Sequence, residues 1–213
     1  MPRKTFFNLQ EAKRKKIIDV ALKEFATNGY AKTSINSIVT RVDIAKGSIY
    51  QYFEDKKDFY LYLVRYVKDL YVTHRAVDVG DISSQPLRTS LKRIILFFRS
   101  FLDNYPREVR FYFALVGDTS IPFDDEISKI MTDPSVNYVR DLISIAKIND
   151  ELREDIDEDM LAFELVVLIT SFQQASVEPS VGRFYGIESD DLSSLSGNAD
   201  ALIDLILKGV EKS

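Results

Sequence analysis

The sequence predicts an all-α protein of about nine helices, an N-terminal three-helix module followed by a larger helical domain. Three observations carry that prediction. Glycine (8) and proline (6) are scarce in a chain of 213 residues, at roughly half or less of average usage. That scarcity argues against sandwiches, barrels and glycine-looped nucleotide folds. Apolar residues recur at three- and four-residue spacing along most of the chain, the period of a helix with one buried face. No convincing strand, internal repeat or low-complexity tract breaks the pattern.

The elements follow in order. Residues 11–28 predict a first helix, with Ile17, Ile18, Ala21 and Phe25 on one side and Lys13, Arg14, Lys15, Lys16 and Lys23 mostly on the other. Asn28-Gly29 stops it, Gly29 sitting where a left-handed backbone is needed. Thr33 or Ser34 offers an N-cap for a short second helix through Val42. Asp43 breaks that pattern, and a third helix runs from Ala45 or Lys46 to about Phe53. Asp55 caps a fourth, from Lys56 to about His74. A stripe from Leu87 through Leu91, Ile94, Phe98 and Phe101 ends at Pro106, which fits the first turn of the next helix. Residues 124–148 are helical with a break at Asp133-Pro134. Asp157 or Asp159 opens a helix to Val177 that is apolar nearly all round. Residues 179–197 predict a loop, and Asn198 caps a last helix with Ala201, Leu202, Leu205, Ile206 and Val210 on one face.

Composition closes off several function classes. The absence of cysteine rules out disulfides, thiol nucleophiles and Cys-ligated metals. With His74 as the single histidine, no site can use two His ligands. No cofactor or metal is expected, and no catalytic constellation supports an enzyme. The acidic run Asp150–Asp159 resembles a calcium loop only superficially, because positions six and twelve counted from Asp155 are Met160 and Val166 rather than glycine and glutamate. The N-terminus has no signal-peptide character. The longest strongly apolar stretch, Leu165 to Ile169, is far short of the ~20 residues of a membrane span. A cytoplasmic protein that does not enter the membrane is the expectation.

Charge divides the chain. Residues 1–57 hold 12 basic and 6 acidic side chains, and residues 58–213 hold 16 and 27, within a net charge of −5. A basic module joined to an acidic one is the asymmetry expected when one end meets a polyanion, although chance clustering on hydrated surfaces gives the same count. Residues 33–53 place two short helices around a tight turn at Val42-Asp43-Ile44, and aspartate tolerates a left-handed backbone. Ile35, Ile38, Val39, Ile44, Ile49 and Phe53 can lock the two helices together. That is helix-turn-helix geometry, in which the second helix enters the major groove. Its start, Ala45-Lys46-Gly47-Ser48, is small, and a close approach to DNA gives Gly47 a reason to be there.

These residues resemble a known family. Thr33-Ser34-Ile35, Ile38, Ile44 through Phe53 and Asp55-Lys56-Lys57-Asp58, together with the helix ending Phe25-Ala26-Thr27-Asn28-Gly29-Tyr30, resemble the N-terminal signature of TetR-type transcriptional regulators. The match covers about residues 11–60. Asp43 replaces the usual glycine, and Ala45 the usual Ser or Thr cap. The resemblance implies a DNA-binding domain at 1–55 and a ligand-binding and dimerisation domain at 56–213. It implies that Thr33 and Ser34 bind phosphate, that Lys46, Ser48, Tyr50, Gln51 and Tyr52 face the groove or its walls, that Arg41 reaches a guanine or phosphate, and that Lys56 holds backbone phosphate. The competing reading makes Tyr50 and Tyr52 packing residues and the lysines merely solvated.

The acidic part concentrates the aromatics. The resemblance implies that some of His74, Phe98, Phe101, Tyr105, Phe111, Tyr112, Tyr138, Phe163 and Phe172 line an effector pocket, the rest being ordinary core. Arg99, Arg110 and Arg140 either meet an anionic group of the effector or pair with carboxylates. The last two helices are expected to form a homodimer through Leu161, Leu165, Leu168, Phe172, Leu202, Leu205 and Ile206. The expected function is ligand-responsive repression: a homodimer on a palindromic double-stranded operator, released by a small apolar or aromatic effector through movement of the fourth helix. The alternative is a small-molecule-binding protein or enzyme with a vestigial helix-turn-helix.

Overall fold

The structure is a computed structural model in which residues 1–79, 85–185 and 192–208 are described. Those residues carry eleven helices and no strand. They are α1 (Lys4–Phe7), α2 (Glu11–Lys32), α3 (Ile35–Val42), α4 (Lys46–Tyr52), α5 (Lys56–Val79), α6 (Leu87–Asn104), α7 (Pro106–Gly117), α8 (Asp124–Ile148), α9 (Glu158–Val177), α10 (Pro179–Tyr185) and α11 (Leu192–Leu207). The count exceeds nine because α1 and α10 were not expected. The stretch read as a loop from 179 to 197 instead holds α10 and the start of α11. Ala199, Ile203 and Leu207 are buried at four-residue spacing, and that anchored face carries the helix back through serines and a glycine that argue for a turn. The break expected at Asp133-Pro134 is also absent. An interior proline costs about 3 kcal/mol, but Ile127 before it and Val139, Leu142, Ile143 and Ala146 after it are buried and hold both flanks helical.

By packing, the chain forms two compact units, residues 1–70 with 105–131 and residues 71–104 with 132–213. The boundaries fall inside α5, between α6 and α7, and inside α8. This division follows contacts and leaves the functional division at residue 55 open. The core of the first unit joins Phe6, Ile17, Leu22, Phe25, Ile38, Ile49, Phe53, Phe59 and Leu63 to Phe111, Leu115 and Phe123. Each large apolar side chain buried here contributes roughly 2–3 kcal/mol of transfer free energy. In the second unit, Leu91, Ile94, Ile95 and Phe98 of α6 are buried, as are Leu161, Leu165 and Ile169 of α9. α6 is also tied to α11 by Lys92–Asp200 (2.7 Å) and by Arg88–Asp204.

Candidate nucleic-acid interface

α2 is the scaffold for the helix-turn-helix. Its buried stripe, Ile17, Ile18, Ala21, Leu22 and Phe25, carries α3 and α4 on one core. Two polar ties fix α3 on it. Lys16 Nζ donates to the Val42 carbonyl at 2.9 Å, and Arg41 Nε pairs with the nearly buried Glu24 at 2.9 Å. α2 breaks at Gly29 (φ +70°). A side chain there would be strained, and its Cβ would meet Asp118 Oδ2 at 3.0 Å. That carboxylate accepts the Tyr30 N–H at 3.0 Å. Burial works against the charge of Asp118, but hydrogen bonds from Ser120 and Tyr30 outweigh it and hold the pKa below the usual carboxylate value.

The turn is built as its residues suggest. Ser34 caps α3, its Oγ accepting the Ser37 N–H at 3.2 Å. Asp43 takes the left-handed conformation (φ 64°, ψ 54°). The N–H groups of Asp43 and Ile44 donate back to Thr40 and Val39 at 3.3 and 3.1 Å, which closes the helix end. α4 then starts at Lys46 after Ala45, which supplies no side-chain cap. Ile49 and Tyr52 face the core. Ala45, Lys46, Gly47, Tyr50 and Gln51 are exposed, and Ser48 is half-buried. Gly47 has no positive φ, and a Cβ there meets nothing within 4 Å. Neither backbone conformation nor crowding within the chain accounts for it.

Three expected DNA contacts sit differently. Tyr52 is 7% exposed, its ring 5.8 Å from that of Phe6; it is a packing residue because it falls one turn from Ile49 on the inward side. Thr33 is 3% exposed, and its hydroxyl donates to the Gly29 and Glu24 carbonyls at 2.8 and 3.1 Å, closing the end of α2 rather than facing outward. Lys56 turns onto the chain: Nζ donates to the Ala31 carbonyl at 3.2 Å and lies 4.4 Å from the Tyr30 ring centre. Burial lowers its pKa from the usual lysine value. Ser34, Arg41, Lys46, Tyr50 and Gln51 remain on the exposed surface.

The aromatic set divides. Phe98, Phe101 and Phe172 are buried in the second unit, with His74 half-buried 6.2 Å from the Phe101 ring. Phe111 and Tyr112 belong instead to the core of the first unit, where Phe111 meets Tyr60 at 5.4 Å. Tyr105 is half-buried at the start of α7, and Phe163 is 64% exposed on α9. Arg99 and Arg140 pair with Asp103 (3.1 Å) and Asp159 (2.9 Å), and Arg110 is exposed. A residue missing from the expected set is Arg75, 8% exposed, with its guanidinium 4.0 Å from the Tyr138 ring centre and 5.8 Å from that of Tyr71. The Tyr138 hydroxyl is buried without a hydrogen-bond partner. The signal for Arg75 was its place on the four-residue stripe Leu63, Val67, Tyr71, Arg75. An open cleft of about 330 Å³ lies in the first unit, lined by Ala26, Asn28, Gly29, Lys32, Gly117 and Asp118 among others.

On α9, Leu161, Leu165 and Phe172 are 3, 0 and 9% exposed. They are core of their own protomer and not free to meet a partner. The uncovered apolar residues are Met160, Phe163, Val167 and Leu168, with Leu205 on α11. Leu202 and Ile206 are half-buried, and Val210 lies outside the described residues.

Known proteins share this arrangement. Residues 17–63 match the sequence model of the bacterial regulatory proteins of the tetR family. A crystal structure of a TetR family transcriptional regulator from Chloroflexus aurantiacus J-10-fl is 31% identical, with a TM-score of 0.79 over 100% of both chains. The helix-turn-helix transcriptional regulator YuxN of Bacillus subtilis, itself uncharacterised, is 26% identical over 203 residues, 94% of this chain; the chain spans 65% of that relative's length. The regulator FadR of Bacillus subtilis, solved with stearoyl-CoA, shares the fold at 18% identity with a TM-score of 0.71, over 92% of this chain and 99% of that one. The chain belongs to the TetR family of bacterial transcriptional regulators.

Proposed function

We propose that this regulator is a cytoplasmic homodimeric repressor that holds a palindromic double-stranded operator and is released by a small, largely apolar or aromatic effector. The observation that carries the reading is the exposed side of α4. Lys46, Gly47, Tyr50 and Gln51 offer a charge, a close backbone approach and hydrogen-bond donors and acceptors on one short helix. A glycine that nothing inside the chain requires fits a helix that must come close to a partner outside it. Ser34 and Arg41 flank that helix and suit phosphate.

Dimerisation is supported by the uncovered side of α9. Met160, Phe163 and Val167 recur at three- and four-residue spacing with Leu168 beside them, 54, 64, 43 and 38% exposed. Such a face calls for a protein partner, and a second copy of the chain supplies one with two-fold symmetry. An effector site in the second unit is supported by the buried Phe98, Phe101 and Phe172 and by the polar pair Arg75 and Tyr138. FadR, solved with stearoyl-CoA, offers a precedent for a long apolar effector with a charged head. Release requires only that the effector prefer the DNA-incompetent state.

Selection of duplexes from a randomised library tests the reading. The expected product is a set of inverted repeats whose half-sites lie on one face of the duplex. Sequences without repeat symmetry, or no enrichment at all, would overturn it.

A further inference from the structure

Residues 1–9 precede the stretch that matches the family, yet they are built into the end of α4. Phe6 of α1 is fully buried. Its ring centre lies 4.9 Å from Phe53, 5.4 Å from Tyr62 and 5.8 Å from Tyr52. Around this plug the backbone closes on the last carbonyls of α4. The Arg3 N–H donates to the Tyr52 carbonyl at 2.8 Å, and Thr5 Oγ1 donates to the Gln51 carbonyl at 2.6 Å. Arg14 Nη1 donates to the Phe7 carbonyl at 3.1 Å, tying the far end of the segment to α2.

α4 needs that support. It is seven residues long, well below the length at which a helix holds itself in water. It contains Gly47, a poor helix former, and has no side-chain cap at its start. The last carbonyls of a helix have no partner inside it; here the N-terminal segment supplies two. The same segment carries Arg3 and Lys4 and no carboxylate. Both cations are exposed, and neither makes an ion pair with a described residue. A recognition helix offers its first residues to base edges, so its last residues lie toward the phosphate wall of the groove. Arg3, hydrogen-bonded through its own N–H to Tyr52, stands at that wall.

We propose that residues 3–9 form a DNA-binding arm: Phe6 and Thr5 hold the end of the recognition helix in place, and Arg3 and Lys4 add two phosphate contacts to each half-site. The proposal rests on the DNA-binding reading above and extends it to residues outside the family signature.

Two variants separate the two roles. Arg3→Ala with Lys4→Ala removes the charges and keeps the backbone bond to Tyr52. Thr5→Val removes one bond to α4 and leaves the charge unchanged. The probes are a duplex enriched from a randomised library by the wild-type chain and a random-sequence duplex of equal length, titrated across salt concentrations. The double variant is expected to lower the slope of log affinity against log salt by about 0.9 per lost contact, about 3.6 for the four contacts of a dimer on two half-sites, and affinity roughly five-fold per lost contact near 0.15 M salt, on both duplexes. Thr5→Val is expected to keep the slope and lower the ratio of selected to random binding about three-fold. An unchanged slope in the double variant, with wild-type binding steeply salt-dependent, would overturn the arm and leave the DNA-binding reading intact. An unchanged ratio in Thr5→Val would overturn the positioning role. Salt-independent binding by the wild-type chain would overturn the DNA-binding reading itself.

Discussion

Helices α4 and α9 each bury one side and leave the other uncovered, but they uncover opposite chemistries. α4 exposes Lys46, Gly47, Tyr50 and Gln51, and α9 exposes Met160, Phe163, Val167 and Leu168. Water solvates the first set well, so α4 can wait hydrated until a polyanion displaces counterions and solvent. The second set is unfavourable in water by about 25 cal/mol for each Å² left open, so α9 calls for a lasting apolar cover. Under the proposed function, that contrast corresponds to transient recognition by α4 and lasting assembly through α9 within one chain.

The largest effect is expected from a charge on the uncovered side of α9. Phe163→Glu leaves the protomer core untouched, so folded monomers should appear in sedimentation. Operator affinity should fall by roughly 10²–10⁴, because two half-sites no longer bind as one unit. Dimers of unchanged strength would remove this face from the interface. The opposite side of the same helix sharpens the contrast. Leu165→Ala should lose about 2–5 kcal/mol in denaturant unfolding through the cavity it leaves, while folded chains still associate. Equal loss of association in both variants would erase the distinction between the two sides.

On α4, Lys46→Ala should reduce the salt slope by about 0.9 per half-site, about 1.8 for the dimer on its operator. Lys56→Ala should reduce it less, because the Lys56 ammonium is already held by the Ala31 carbonyl and the Tyr30 ring. A larger change at Lys56 would reverse that assignment. The smallest effect concerns Glu108, 5% exposed. Burial raises its pKa, Asp19 adds to the rise, and its own backbone N–H, Lys15 and Arg107 oppose it. A raised folded-state pKa means that stability is present below the ordinary carboxylate range and lost as pH rises through the raised value. Glu108→Gln should therefore unfold at a slightly higher temperature than wild type near neutral pH, and lose that advantage below about pH 4. A constant difference across that range would contradict the assigned burial effect.

How much could be read from the residues differs between the two regions in the same way. The helix-turn-helix was legible because its constraints are local. Ser34 caps three residues ahead, Asp43 takes the left-handed turn, and Ile38, Val39 and Ile49 point inward at short spacing. The sides taken by Tyr52 and Thr33 are not legible, because an aromatic or a hydroxyl at a helix end suits either the core or a partner, and only the position of Phe6 and of the Gly29 carbonyl decides. In α9 the difficulty was directional. A helix apolar nearly all round has no unique inward side in its periodicity, so the residues alone do not tell that Leu161 and Leu165 face inward and Phe163 outward. Phe111 and Tyr112 are near Phe101 in the chain, but a packing boundary between α6 and α7 puts them in the other unit. The segment at residues 1–9 has no periodicity long enough to read, and the role proposed for it rests on its bonds to Gln51 and Tyr52.

Sedimentation of the wild-type chain with its selected duplex decides between a dimeric and a monomeric regulator, because it counts chains on DNA. A homodimeric regulator gives two chains per inverted-repeat duplex and, without DNA, a dimer at micromolar concentration that persists when salt releases the duplex. A single chain bound per duplex at full affinity, or a chain that stays monomeric in both conditions, would contradict it.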